Sequence, residues 1–172
     1  MFVVAHFHYM LMGAGLFGAM AGIAFFFPKM TGRILDERVG SIGLWTAFIG
    51  FQITFMSMFV AGLQGQPRRV LQFDSQFNIS NWISTIGAYI IGIGMLIFLA
   101  AIINSWRSGA IAGSNPWGSK SLEWQTETPV PLENFPVLPV VTERPYDYGV
   151  PDPYEAELDA RDQDLTEKAG VK

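Results

Sequence analysis

Residues 1–28 read MFVVAHFHYMLMGAGLFGAMAGIAFFFP and contain no charged side chain. Two further uncharged runs follow, Val39–Pro67 and Ser75–Trp106. Each run is longer than the roughly 20 apolar residues that an α-helix needs to cross a lipid bilayer. The sequence therefore predicts an all-α membrane protein with three transmembrane helices, at about residues 2–27, 39–64 and 78–105.

The predicted helices carry small residues at helical spacing, which let neighbouring helices approach each other closely in a membrane. They are Ala14, Gly18 and Gly22 in the first helix, Gly40, Gly43, Ala47 and Gly50 in the second, and Ala88 and Gly92 in the third. We expect each set to lie in a helix-packing interface.

The composition changes after Arg107. Residues 108–172 hold eight of the ten prolines, and their twelve acidic residues outnumber their five basic ones. Proline removes a backbone donor and disfavours helix. We therefore expect a helical part, 1–107, and an extended, loosely ordered, acidic polar C-terminal tail, 108–172, in which Glu155–Lys168 could form a short helix.

The basic residues predict the orientation in the membrane. Successive membrane helices alternate in direction, so the first loop and the tail share one side. That side has five basic residues near the membrane, namely Lys29, Arg33, Arg38, Arg107 and Lys120, and the other side has Arg68 and Arg69. The positive-inside rule therefore predicts a cytoplasmic tail and places the start of the first helix at the outer surface.

The only two histidines, His6 and His8, lie in the first uncharged run. An ionisable side chain at membrane depth is costly and marks a functional site. Imidazole is a common axial ligand of haem iron. Residues two apart on an α-helix point about 200° from each other, so one helix could hold a metal group on each side. The alternative is a pair of polar residues bonded to neighbouring helices or facing a water-filled cavity.

Arg68 and Arg69 are predicted to lie on the same side of the membrane as the histidines. Guanidinium groups donate paired, charge-assisted hydrogen bonds to carboxylates such as haem propionates. Taken alone, such a pair also serves as an interfacial anchor. Together with the histidines it favours haem.

The chain has no cysteine, which excludes disulfides and thiolate metal sites, and no basic patch that indicates nucleic acid.

Four motifs, in this order, resemble those of subunit I of the haem–copper oxygen reductases, and of bacterial aa3-like cytochrome c oxidase in particular. They are Phe2-Val-Val-Ala-His-Phe-His-Tyr9, Phe27-Pro-Lys-Met-Thr-Gly32, Gly62-Leu-Gln-Gly-Gln-Pro-Arg-Arg69, and Asn115-Pro-Trp-Gly118 followed by Leu122-Glu-Trp-Gln125. The first motif resembles the signature of the family's tenth helix. The resemblance extends from Phe2 to about Tyr148. Nitric oxide reductases share the histidine pair but are not expected to carry the fourth motif.

The resemblance implies a role for each candidate site residue. His6 matches the ligand of the high-spin haem iron, where oxygen is reduced, and His8 matches one axial ligand of the low-spin haem iron. Arg68 and Arg69 match the pair that binds haem propionates. The cofactors implied are two haems, expected to be haem a and haem a3, with copper in the complete enzyme.

The resemblance also implies nine earlier helices that supply the other low-spin ligand, the copper histidines, the cross-linked tyrosine and the proton-channel residues. The predicted helices here contain no Lys, Asp or Glu, and no third histidine exists. We therefore expect the C-terminal three-helix portion of subunit I, either a truncated reading frame or a separately encoded piece, inactive alone. Residues 55–60 lack the Pro and His of many relatives, which leaves the subfamily open.

The leading hypothesis is part of the catalytic subunit of a terminal oxidase that reduces oxygen with electrons from cytochrome c and pumps protons. Its expected partners are the missing helices, subunits II and III, cytochrome c or quinol, oxygen and lipid, in the bacterial inner (plasma) membrane. One alternative is a non-catalytic bis-haem membrane electron-transfer cytochrome, which would need a second histidine per haem from a partner. Another is a haem-free helical interaction module.

Overall fold

The computed structural model describes residues 1–135 and 139, and this part of the chain is helical without strands. The helices are α1 (Phe2–Leu11), α2 (Phe17–Thr31), α3 (Glu37–Leu63) and α4 (Asn78–Ser108). A π-helical turn, Met12–Leu16, joins α1 to α2. Three continuous helical stretches are long and apolar enough to cross a membrane, namely Phe2–Thr31, Glu37–Leu63 and Ser75–Ser108. The prediction of an all-α fold with three membrane-spanning helices is confirmed. The possible helix at Glu155–Lys168 lies outside the described residues.

The chain forms two compact units. The first comprises Met1–Ala24 and Asp36–Asn104. The second comprises Phe25–Leu35 and the described residues from Ser105 onwards. The first unit contains the histidine and arginine pairs.

In the first unit, α3 packs against α4 through glycine positions on both helices. A Cβ added at Gly50 would lie 2.6 Å from the Ile91 nitrogen, and one at Gly43 would lie 2.7 Å from the Phe98 nitrogen. Such distances leave no room for any side chain, so the two backbones are in direct contact. The predicted small-residue face of α3 therefore does form a packing interface.

The small residues of the other helices behave differently from the prediction. On α4 the packed positions are Gly87 and Gly94, whereas a Cβ at Gly92 would meet nothing within 4 Å. On α2 a Cβ at Gly18 or Gly22 would also meet nothing within 4 Å among the described residues. The expected α4 interface at Ala88 and Gly92 therefore has no counterpart within the described part of this chain and stays a prediction.

The first membrane helix continues through Pro28 to Thr31, beyond its predicted end near Phe27. Proline lacks an N–H and crowds the carbonyl four residues earlier, so it usually ends or kinks a helix. Here other donors serve the neighbouring carbonyls. The Thr31 hydroxyl donates to the Phe27 oxygen at 2.8 Å, and the indole N–H of Trp117 donates to the Phe25 oxygen at 3.1 Å.

In the second unit, the start of the tail packs around Trp124, which is completely buried. Its ring contacts those of Phe25 and Phe26, with centroids 5.0 Å and 6.0 Å away. The Lys29 ammonium is buried and donates to the Thr126 carbonyl oxygen at 2.5 Å. Residues 109–130 therefore differ from the expected loosely ordered tail, because they pack on the end of α2.

Candidate functional site

α1 lies antiparallel along α3 in the first unit. The Phe2 ring contacts Phe59 at 5.0 Å between centroids near the end of α3, and the Tyr9 hydroxyl donates to Oε1 of Gln52, further back, at 2.7 Å. Ala5 is completely buried. Since consecutive helical residues are about 100° apart, a helix whose Ala5 faces α3 places His6 to one side of this contact and His8 to the other.

His8 is half-buried and its ring is held by several groups. Its Nδ1 lies 2.9 Å from the carbonyl oxygen of Val4, one turn earlier. Its ring stacks on Phe55 of α3, with centroids 5.7 Å apart and planes at 19°, and Phe7 contacts it edge-on. Because a carbonyl only accepts, Nδ1 carries a proton, and in the neutral imidazole the lone pair is then on Nε2. This is the state in which a neutral histidine binds a metal.

His6 has different surroundings. Its side chain is exposed, and it makes no hydrogen bond within the described part of the chain. The neighbouring Phe7 is also exposed, by 52%. The two imidazoles are therefore available on separate sides of α1, one supported by α3 and the other open.

The arginine pair follows the end of α3. Gly65 has φ 92° and Arg69 has φ 61°, so the chain turns sharply between them. Arg68 and Arg69 are both exposed, and their guanidinium groups bind no other described residue.

The start of α1 lies beside this turn. The Met1 nitrogen donates to the Gln66 carbonyl oxygen at 2.5 Å, and a methyl group added at Gly62 would overlap the Phe2 backbone. The structure thus brings the histidines and the arginines to the same end of the α1–α3 pair. It records no direct contact between the two pairs.

Two supporting residues, Phe55 and Gln52, were not singled out from the sequence. Phe55 is one of many phenylalanines, and nothing in the sequence indicates which of them meets an imidazole. Gln52 carried a weak signal, since it is a polar side chain inside a predicted membrane helix. The π-helical turn that begins three residues after Tyr9 was also missed, although such turns are frequent at functional sites.

A single imidazole on each side of a helix suits a metal that a macrocycle already binds through its own nitrogens. Haem iron is such a metal. The guanidinium pair at the same end suits the carboxylates of such a group. The residues present therefore fit haem.

Comparison with known proteins identifies the family of this chain. The family described as Cytochrome C and Quinol oxidase polypeptide I matches residues 1–90, which include both histidines and both arginines. The chain belongs to this family. The match confirms the resemblance seen in the sequence motifs.

Curated members of the family extend the likeness. Cytochrome c oxidase subunit 1 of Thermostichus vulcanus is 50% identical over 167 residues, covering 97% of this chain and 30% of that protein. The subunit 1 proteins of Synechocystis sp. and Corynebacterium glutamicum are 42% and 44% identical, covering 87% and 84% of this chain. The chain spans 30% or less of the length of each of these three relatives.

Proposed function

We propose that this chain forms the haem-ligating C-terminal part of the catalytic subunit of a terminal oxidase. The observation that carries the proposal is the arrangement of His6 and His8. They lie on different sides of α1, and the Nδ1 bond of His8 to Val4 leaves its Nε2 free for a metal.

In this proposal His8 is one axial ligand of a low-spin haem. The Val4 carbonyl fixes its tautomer, and the Phe55 ring fixes its plane. Such a fixed orientation would suit a haem ligand, because the imidazole then keeps its position when the haem binds. The second axial ligand would come from the part of the subunit that this chain does not contain.

His6 is proposed to bind the high-spin haem, on the other side of α1. We expect these groups to be haem a at His8 and haem a3 at His6, with copper held by other parts of the complete subunit. When bound, the haem irons supply the electron-transfer and oxygen-binding chemistry. The two ligands are separated by one residue, or about 3 Å along the helix axis, which keeps both sites on one rigid element.

Arg68 and Arg69 are proposed to bind the propionate carboxylates. Both side chains are exposed at the histidine end of the first unit. A positive charge beside a carboxylate offsets its negative charge near the iron and so favours the reduced state. Arg68 and Arg69 would therefore both hold the haem and raise its reduction potential.

The complete enzyme would reduce oxygen to water with electrons from cytochrome c or quinol and couple this to proton pumping. We propose a location in the bacterial plasma membrane with a cytoplasmic C-terminus, alongside the remaining helices of subunit I and subunits II and III. Large apolar side chains on α1 support such partners or lipid, since Val3 and Met10 are 64% and 61% exposed.

The proposal is tested by the optical spectrum of the complex purified with its partner subunits, before and after addition of carbon monoxide. We expect a Soret band and a carbon monoxide shift, because a five-coordinate haem at His6 leaves a binding position. A Soret band without the shift would instead support an electron-transfer cytochrome. The lack of any Soret band would contradict haem binding altogether.

A further inference from the structure

Gln66 anchors the turn that carries the arginine pair. Its side chain is buried, with 5% exposed. Its backbone N–H donates to the Ala61 oxygen at 3.0 Å, and its own carbonyl oxygen accepts from the Met1 nitrogen at 2.5 Å. The backbone just before Pro67 is therefore fixed to α3 and to the start of α1.

The Gln66 side chain also pairs with α4. Its Nε2 donates to Oδ1 of Asn81, and Nδ2 of Asn81 donates back to Oε1 of Gln66, both at 3.4 Å. The same Nδ2 donates to the Phe77 oxygen at 3.0 Å. A buried carboxamide without partners is costly, so this reciprocal pair fixes the position of Gln66 relative to the first turn of α4.

The backbone beyond the anchor has few ways to move. Pro67 has its φ fixed by its ring. Arg69 has φ 61°, in the left-handed region that non-glycine residues seldom adopt and that persists only where the surroundings hold it. The two guanidinium groups bind no other described residue, so the anchored backbone is what sets where their side chains begin.

We propose that Gln66 and Asn81 are positioning residues for the Arg68–Arg69 pair. Their carboxamides bond to each other and so join the arginine turn to α4. They hold the turn so that the guanidinium groups meet the carboxylates of a haem, and they thereby set the reduction potential of that haem. This inference rests on the proposed function of the arginines.

The test measures the midpoint potential of each haem by spectroelectrochemical titration of the complete oxidase. Arg69→Gln should lower the midpoint of one haem, because a lost positive charge favours the oxidised iron. Asn81→Leu and Gln66→Met each remove the carboxamide pair, and each should lower the same midpoint by a smaller shift. In the double variant Asn81→Leu/Arg69→Gln, the combined shift should be smaller than the sum of the two, because part of the effect of Asn81 acts through Arg69.

Two further variants separate positioning from general damage to the helix. The double variant Gln66→Asn/Asn81→Gln exchanges the two residues, so that one long and one short carboxamide remain. It should restore the midpoint potential of the unchanged protein. Thr85→Val is the control, because Thr85 lies one turn along α4 and donates to the Asn81 backbone oxygen at 2.9 Å. It should leave both midpoints unchanged.

Each outcome decides between the claims. If Arg69→Gln lowers a midpoint while Asn81→Leu and Gln66→Met leave it unchanged, the positioning role is wrong. Additive shifts in the double variant, or an exchange variant that stays shifted, also overturn it. If Arg69→Gln shifts neither haem, the proposed role of the arginines fails first, and the positioning role falls with it. If the single carboxamide variants do not assemble, the exchange variant decides alone.

Discussion

The imidazole Nδ1 of His8 donates to the carbonyl oxygen of Val4, 2.9 Å away and one helical turn earlier. This bond uses an oxygen of α1 itself, so the tautomer of His8 is fixed before any cofactor or partner subunit arrives. The Phe55 ring then restricts rotation of the imidazole from the α3 side. The His8 imidazole is thus held in one orientation by the chain itself, whereas His6 has no such support among the described residues.

Replacing Phe55 tests this fixed orientation. Phe55 is 4% exposed and stacks on His8. In the complete oxidase, Phe55→Leu should broaden the low-spin haem band and lower the content of that haem, because the imidazole gains rotational freedom. Phe48→Leu is the matched control on α3, since Phe48 contacts Trp45 and Phe17 but not His8. Equal low-spin spectra for the two variants would show that the stack does not orient the ligand.

The α3–α4 interface predicts a second difference between matched variants. Gly50→Ala places a methyl group against the backbone of Ile91, so it should destabilise the protein by about 1–3 kcal/mol. Gly92→Ala, where a Cβ meets nothing within 4 Å, should cause no loss. Thermal denaturation of the detergent-solubilised oxidase, followed by circular dichroism, measures both. A Gly92→Ala variant as unstable as Gly50→Ala would contradict the observed packing.

The buried ammonium of Lys29 should protect the start of the tail from proteolysis. Hydrogen bonds from charged groups contribute ~1.5–3 kcal/mol, which corresponds to ~10- to 100-fold in the population of a locally opened state. Lys120 is only 9% exposed, so trypsin should cut slowly after it. Lys29→Met should raise that rate, and the exposed Arg38→Gln should not. Peptide mass spectrometry over a digestion time course follows the cut, and unchanged cleavage in Lys29→Met would refute the protective role.

Orientation in the membrane is tested separately. The excess of basic residues on the side of the first loop and the tail predicts that the tail is cytoplasmic. In sealed right-side-out vesicles, added protease should leave the tail intact and should cut it only after the vesicles are opened. Cleavage of the tail from outside would refute this topology.

The sequence was sufficient for features that depend on local composition. The three uncharged runs predicted the three helices, because a bilayer requires about 20 apolar residues regardless of what surrounds them. The spacing of His6 and His8 likewise predicted their separation around one helix, because that angle depends only on helical geometry.

Features that depend on distant neighbours were not predictable in the same way. Pro28 lies inside a helix, and the Trp117 indole that bonds to the nearby Phe25 oxygen comes from far along the chain. The α4 interface uses Gly87 and Gly94 because those positions face α3, which spacing alone does not show. The contact of Phe55 with His8 joins two helices, and that of Asn81 with Gln66 joins α4 to the turn after α3. Both become visible only in the folded chain.

His6 and His8 are proposed to bind different haems, and the comparison of His6→Ala with His8→Ala in the complete oxidase tests this. Optical spectra are recorded in the reduced state, with and without carbon monoxide. His8→Ala should perturb the low-spin band, because that iron loses one of its two axial bonds. His6→Ala should leave the low-spin band largely intact and remove carbon monoxide binding or the high-spin haem. The same spectral defect in both variants would contradict the account, because the two histidines would then serve a single site.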